Sequence, residues 1–337
     1  MVTLRRVPLS VLDVASRTAD QSNADAVAGS IALAQAAERL GYERFWLAEH
    51  HGMPGIASSA PAVLIAGVAA RTERIRVGSG GVMLPNHAPL VVAEQFGTLR
   101  ALYGDRIDLG IGRAPGTDGP TAMALRRSEA GLSAEDFPQQ LLDLIGFFEG
   151  SFPPGSPMSR IIAVPGRGDQ PQLWLLGSSG YSAQVAGALG LPFAFAHHFA
   201  GDNTEAALDL YRQSFQPGTL TAPHSAIAVG VIADEDPAVV DAQSRPGLIG
   251  FLRMRQGGKP EPITVAEGLA YEYSPLELQF VEARNRRQAV GSPEHVRSQL
   301  ASLLESTGVD ELILAPGSAE LAHRIHSIEI VAGLFAD

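Results

Sequence analysis

Residues 47–119 hold three loaded segments in one run: Ala48-Glu49-His50-His51, then Gly78-Ser79-Gly80-Gly81, then Gly110-Ile111-Gly112-Arg113-Ala114-Pro115-Gly116. Each ends a short apolar run of strand length, at 44–48, 75–78 and 107–112. Helical patterns lie between them, at 61–71 and 90–102. Such alternation builds a parallel sheet covered by helices, in which the same ends of successive strands lie side by side. Three segments far apart in sequence therefore read as one site.

The same alternation continues outward. Strands are expected at 7–12, 173–177, 193–197, 226–233 and 311–315, and helices at 25–40, 137–148, 182–189, 204–215, 293–306 and 319–334. Eight strand–helix units in 337 residues favour an α/β fold of the (β/α)8 TIM barrel type, as one domain over 1–337. Two connections are longer than a barrel needs. Residues 151–172 are polar and rich in Pro and Gly, with a hairpin expected around 161–164. Residues 234–291 contain the loop-like Gln256-Gly257-Gly258-Lys259-Pro260, flanked by expected helices. Inserted loops and helices of this length act as lids when they leave the C-terminal ends of the strands, at the barrel mouth.

Composition narrows the function. The 45% of hydrophobic residues supply a large core. A net charge of −11 argues against nucleic acid or an anionic membrane as the main partner. The chain has no cysteine, which rules out disulfides and thiolate metal sites. Arg5 and Arg6 are followed by Asp13, Arg17 and Asp20 rather than an unbroken apolar run, so no signal peptide is expected. No apolar run reaches the ~18 residues of a membrane span, and a cytoplasmic location is the expectation.

Four segments could carry chemistry. His50 and His51 follow a strand end, where a neutral imidazole serves as a general base or simply bonds a loop backbone, with Glu49 placed to orient one ring. A metal reading would recruit His197-His198, but adjacent side chains on a strand face opposite ways, and no metal is expected. Gly80 and Gly81 let a flat ligand approach the backbone or merely form a turn. Arg113 suits a phosphate or an ion pair with Asp118 or Glu94. Gly177-Ser178-Ser179-Gly180-Tyr181-Ser182-Ala183 joins a strand to a helix, where hydroxyls and free N–H groups make either an anion site or an ordinary cap.

In order along the chain, Gly41-Tyr42 through His51, Arg76 through Pro89, Ala93-Glu94-Gln95-Phe96, Asp108 through Gly116, Gly177 through Ala183, Gly190-Leu191-Pro192, Gly291-Ser292-Pro293-Glu294 and Gly308-Val309-Asp310-Glu311 resemble the bacterial luciferase-like flavin monooxygenase family. The likeness runs over 7–334 and is nearer the single-subunit branch than the luciferase subunits. It implies a barrel with reduced FMN at its mouth, supplied by a separate flavin reductase, and oxygen used to oxidise a small organic substrate. It implies a homodimer. His50 matches the proposed base, Leu12 would pack on the flavin ring, and Gly80–Gly81 matches a cis peptide beneath it. Arg113, Ser179, Tyr181 and Ser182, helped by the Gly180 and Tyr181 N–H groups, match the phosphate site. Ser178 joins this cofactor set, although it stands where the luciferase subunit has a carboxylate. Gly112 replaces that subunit's reactive cysteine, so its aldehyde site is not carried over. The same barrel also serves deazaflavin-dependent reductases and non-catalytic flavin-binding proteins.

Overall fold

A computed structural model of the chain describes residues 4–114, 116–126, 135–258 and 261–336. Pro115 of the glycine-rich segment and Lys259-Pro260 of the expected loop lie outside the described residues. Nine strands form one parallel sheet: β1 (Leu9–Asp13), β2 (Arg44–Leu47), β3 (Arg76–Met83), β4 (Ile107–Gly112), β5 (Gln172–Gly177), β6 (Phe193–Phe195), β7 (Ser225–Ala233), β8 (Ala289–Gly291) and β9 (Glu311–Pro316). Strands β1 to β7 pair in order, β7 pairs with β9, and β9 pairs with β1, so eight of them close a (β/α)8 barrel. Val231 bonds β8 on one edge and β9 on the other, which puts β8 on the edge that β6 occupies lower down.

Local chemistry explains the helices. Ser22 and Asp25 form a reciprocal capping box at the start of Asn23–Arg39, and Gly41, at φ +79, turns the chain after it. Leu33, Ala34 and Ala37 of that helix are buried against the barrel. Phe137, Leu141, Leu144 and Phe148 give Phe137–Glu149 its buried face at helical spacing.

The barrel interior has two kinds of filling. At the N-terminal end of the strands, Arg44 bonds Glu311 and Asp108, both at 2.9 Å, with Gln172 at 3.0 Å. Arg76 adds a second cation to Asp108, and all these carboxylates are buried. Above them, Trp46 and Trp174 meet edge to face with centroids 5.2 Å apart. Toward the C-terminal ends of the strands the interior is lined by small residues, Gly80, Ala194 and Ala228 among them. A Cβ at Gly80 would stand 2.6 Å from Leu12 Cδ1 and 3.0 Å from Trp46 Cβ, so a side chain there would displace Leu12.

Three expectations change. β3 runs on to Met83, because its pairing with β4 resumes after a bulge at Gly81. β6 stops at Phe195 instead of reaching His197: the Phe199 and Ala200 N–H groups both bond back to Ala196 O, and these local bonds turn 197–200 into a short helix. Around 161–164 there is no hairpin. A short 3-10 turn at Pro157–Arg160 leads to a cis Val164–Pro165 bond, and Gly166 packs against Gly97 on the outer helix Pro89–Tyr103. Only Ala163 of the apolar run 161–164 is buried, so the run is an anchor and not a strand pair.

The two insertions also separate. Residues 151–171 lead into the N-terminal end of β5, whereas 234–288 leave the C-terminal end of β7. The latter segment carries helices Pro237–Arg255, Val265–Ala270 and Pro275–Asn285.

Candidate active site

A cavity of about 530 Å³ opens at the C-terminal ends of the barrel strands. That is the size of an ordinary small-molecule or cofactor site. Its apolar floor includes Leu12, Trp46, Ala194, Ala228 and Ile313, continuous with the barrel core. One wall is the Gly80–Gly81 bulge, whose peptide bond is cis. A Cβ at Gly81 would lie 2.6 Å from Gly110 O and Leu176 Cδ1, so this wall is backbone by necessity. His50, Arg113, Ser178, Ser179 and Ser182 line the same space.

The histidine pair divides its work. The His50 Nδ1–H donates to the Gly116 carbonyl at 3.3 Å, which fixes the proton on Nδ1 and leaves Nε2 as the basic atom. Burial pushes the His50 imidazole below its ordinary pKa, so it is neutral near neutral pH. His51 does not line the cavity and donates to Glu49 Oε1 at 2.9 Å. Glu49 is fully buried, and also accepts from His87 Nε2 at 2.9 Å, Asn86 Nδ2 at 3.2 Å and the Met83 N–H at 3.0 Å. Burial alone would raise its pKa. The bond and charge of His87, then His51 and the Met83 N–H, more than offset that and hold it below the ordinary range. Glu49 thus ties the His51 loop to Met83, which forms part of the cavity wall.

Arg113, Ser178, Ser179 and Ser182 give the cavity a polar corner. Ser179 is the N-cap of helix Gly180–Ala188, yet its side chain makes no capping bond. The first N–H groups of the helix are therefore uncapped by that hydroxyl, and a helix N-terminus in this state attracts an anion. Gly177 has to be glycine because a Cβ there would meet Ser182 Cβ at 2.5 Å. Arg113 lies over the Tyr181 ring at 4.4 Å from its centroid. Gly180 and Tyr181, expected beside the serines, are not part of the cavity wall: Tyr181 supports Arg113 from outside.

His198, which the sequence offers only as a metal ligand, belongs to this site. It lines the cavity, and its Nδ1–H donates to Ala228 O at 3.0 Å. Burial pushes its imidazole down to about 4. Phe195 and Phe199 line the same side. The signal for His198 was its place just past a barrel strand. His197 turns away to Thr204 Oγ1 at 2.7 Å, so one histidine of each pair faces the cavity. The four histidines do not gather their nitrogens into a metal-binding group among the described residues.

The family model for luciferase-like monooxygenases matches residues 9–311 of this chain. The chain belongs to the luciferase-like monooxygenase family. A luciferase-like monooxygenase of Escherichia coli (strain K12) is 42% identical over 333 residues, covering 98% of this chain and 97% of that one. Among solved structures, apo-MsnO8 is 38% identical with a TM-score of 0.88, covering 98% of each chain. Two more distant structures share the family barrel. The oxygenating constituent of 3,6-diketocamphane monooxygenase from Pseudomonas putida, in complex with FMN, has a TM-score of 0.74 at 18% identity over 98% of each chain. An F420-dependent secondary alcohol dehydrogenase has a TM-score of 0.67 at 14% identity, over 99% of this chain and 100% of that one.

Proposed function

We propose that this luciferase-like protein is an FMN-dependent monooxygenase of the two-component kind, using FMNH2 from a separate flavin reductase and oxygen to oxidise a small organic substrate. The observation that carries the reading is the pairing of two unlike walls in one cavity. A side-chain-free face at Gly80–Gly81, with Leu12 on the floor, suits a flat ring, and an uncapped helix start beside Arg113 suits a phosphate. In this reading Arg113, Ser178, Ser179 and Ser182 hold the phosphate, at the uncapped start of helix Gly180–Ala188. Leu12, Gly80 and Gly81 orient the ring.

Reduced FMN, when bound, supplies the two electrons that let one oxygen atom enter the substrate and the other leave as water. The chain's own part is binding, exclusion of water and proton handling. The apolar floor and Phe195 and Phe199 keep bulk water from the reacting centre. His50, neutral and with Nε2 free to accept, takes a proton there. Among the described residues no helix is long and apolar enough to cross a membrane. A homodimer is part of the proposal, as is common in the family.

Binding titrations test the cofactor. FMN and FMNH2 should bind, and riboflavin should bind more weakly because it lacks the phosphate. Tight binding of the deazaflavin F420 with none of FMN would overturn the FMN reading and leave the fold assignment standing.

A further inference from the structure

We propose that Asp234, Glu235, His323 and His326 form a site for one divalent transition-metal ion of the zinc, nickel or copper type, at the root of the 234–291 insertion.

Asp234 is the first residue after β7, and its N–H bonds Gly291 O at 3.3 Å. It therefore closes the neck of the insertion, with one end of the segment bonded to the other. His323 and His326 stand three apart on the last helix, Leu321–Ala336, on one face of it. Ligand atoms of Asp234, Glu235 and His326 all lie within 4.8 Å of one another. His326 Nε2 is 3.0 Å from Glu235 Oε2 and 3.9 Å from Asp234 Oδ2, and His323 Nδ1 is 3.6 Å from the same Asp234 oxygen.

Bonds of ~2.0–2.1 Å in a tetrahedral site place ligand atoms about 3.3 Å apart, so side-chain movements bring Asp234, Glu235 and His326 to coordination distance, and His323, beside the same Asp234 oxygen, is the fourth donor once its ring turns toward them. The donor chemistry fits as well. Imidazole nitrogen with carboxylate oxygen is a set for zinc, nickel and copper. Charge points the same way. Glu320 and Glu329 flank the histidines, and the ion pairs of all four carboxylates run to His323 and His326. A divalent ion supplies the positive charge that two imidazoles only partly provide.

The group is backed by structure on one side. The Asp234 side chain is 14% exposed, while His326 is 39% exposed and open to an incoming ion. None of the four residues lines the cavity at the barrel mouth, so the site is separate from the flavin chemistry. A bound ion joins the neck of the insertion to the last helix.

Calorimetric titration of the chelator-stripped protein with zinc or nickel ions alone tests the site. One equivalent should bind, at least tenfold more weakly in His326→Ala and in Asp234→Asn, and with wild-type affinity in His50→Ala. Zinc should raise the melting temperature of the wild type and not that of His326→Ala. Absence of saturable binding, unchanged affinity in both site variants, or loss of binding in His50→Ala would overturn the proposal. If a site variant fails to fold by circular dichroism, cobalt-loaded wild type decides by NMR. Paramagnetic shifts on the His323 and His326 ring protons support the site, and shifts confined to His50 and His198 contradict it.

Discussion

The two ends of the barrel interior use the same inward-facing lattice for opposite purposes. Arg44 and Ala48 face inward on one strand-and-rim segment, and Asp108 and Gly112 on another. At the N-terminal end the inward positions carry charge, and every charge has a partner: Arg44 with Asp108 and Glu311, and Arg76 with Asp108. Burial works against the Glu311 carboxylate, but the His224 ring close by, with the bonds from Arg44 and Ser10, holds its pKa below the ordinary range. At the C-terminal end the inward positions are mostly apolar or small, glycine and alanine among them, and the ionisable groups are Arg113 at the rim and the neutral imidazoles of His50 and His198. One end spends its volume on a satisfied polar plug; the other leaves volume unfilled for a ligand. Stability and function are thus divided between the ends of one barrel.

Substitutions that act on one end and spare the other test this contrast. The largest effect is expected at the mouth. His50→Ala should lower kcat about 10²–10⁴-fold, as loss of a general base does, with FMN affinity and melting temperature close to wild type. A matching loss of stability would place His50 in the scaffold instead. At the plug, Arg44→Met leaves Asp108 and Glu311 short of a cation, and should cost about 3–5 kcal/mol in urea denaturation. FMN affinity of the folded fraction should hold, since Arg44 does not line the cavity. Next comes Arg113→Ala, which removes a charged partner of the phosphate worth about 1.5–3 kcal/mol. FMN affinity should fall accordingly while riboflavin affinity stays level; equal losses for both ligands would remove Arg113 from the phosphate.

The smallest expected effect is in the pH dependence of stability. His50 and His198 both have folded-state pKa values below the ordinary one because they are buried. In the unfolded chain they take up protons near pH 6.5, as exposed histidines do. Below that pH the unfolded state binds more protons, so stability falls as the pH drops. For His198 the loss continues down to its folded value of about 4. Melting temperature measured from pH 7 to pH 5 should fall less steeply in His198→Gln than in wild type. Parallel slopes would show that the mouth imidazoles are not the cause.

The mouth was the more legible end from sequence. The glycine-rich strand ends and His50 announce themselves because open space demands residues that nothing else explains. The plug is not legible locally: Arg44, Asp108 and Glu311 sit at the starts of strands far apart in sequence, and only barrel closure brings them together. The barrel itself followed from strand–helix alternation, since periodicity is a local property. Strand ends did not. At His197 the alternating pattern of 193–197 favoured a strand, and backbone bonds to Ala196 O turned the chain instead. That turn is also what puts His198 into the cavity. Likewise, the apolar run 161–164 suited a hairpin, but its one buried side chain, Ala163, answers to the helix beside it.

The most direct measurement of the central claim is stopped-flow mixing of the anaerobic protein–FMNH2 complex with oxygen, followed by product analysis with isotopically labelled oxygen. The expected result is reoxidation of the bound flavin at a rate distinct from that of free FMNH2, and, with a substrate, one labelled oxygen atom in the product. Reoxidation at the free-flavin rate, with no label entering any organic product, would contradict the monooxygenase reading.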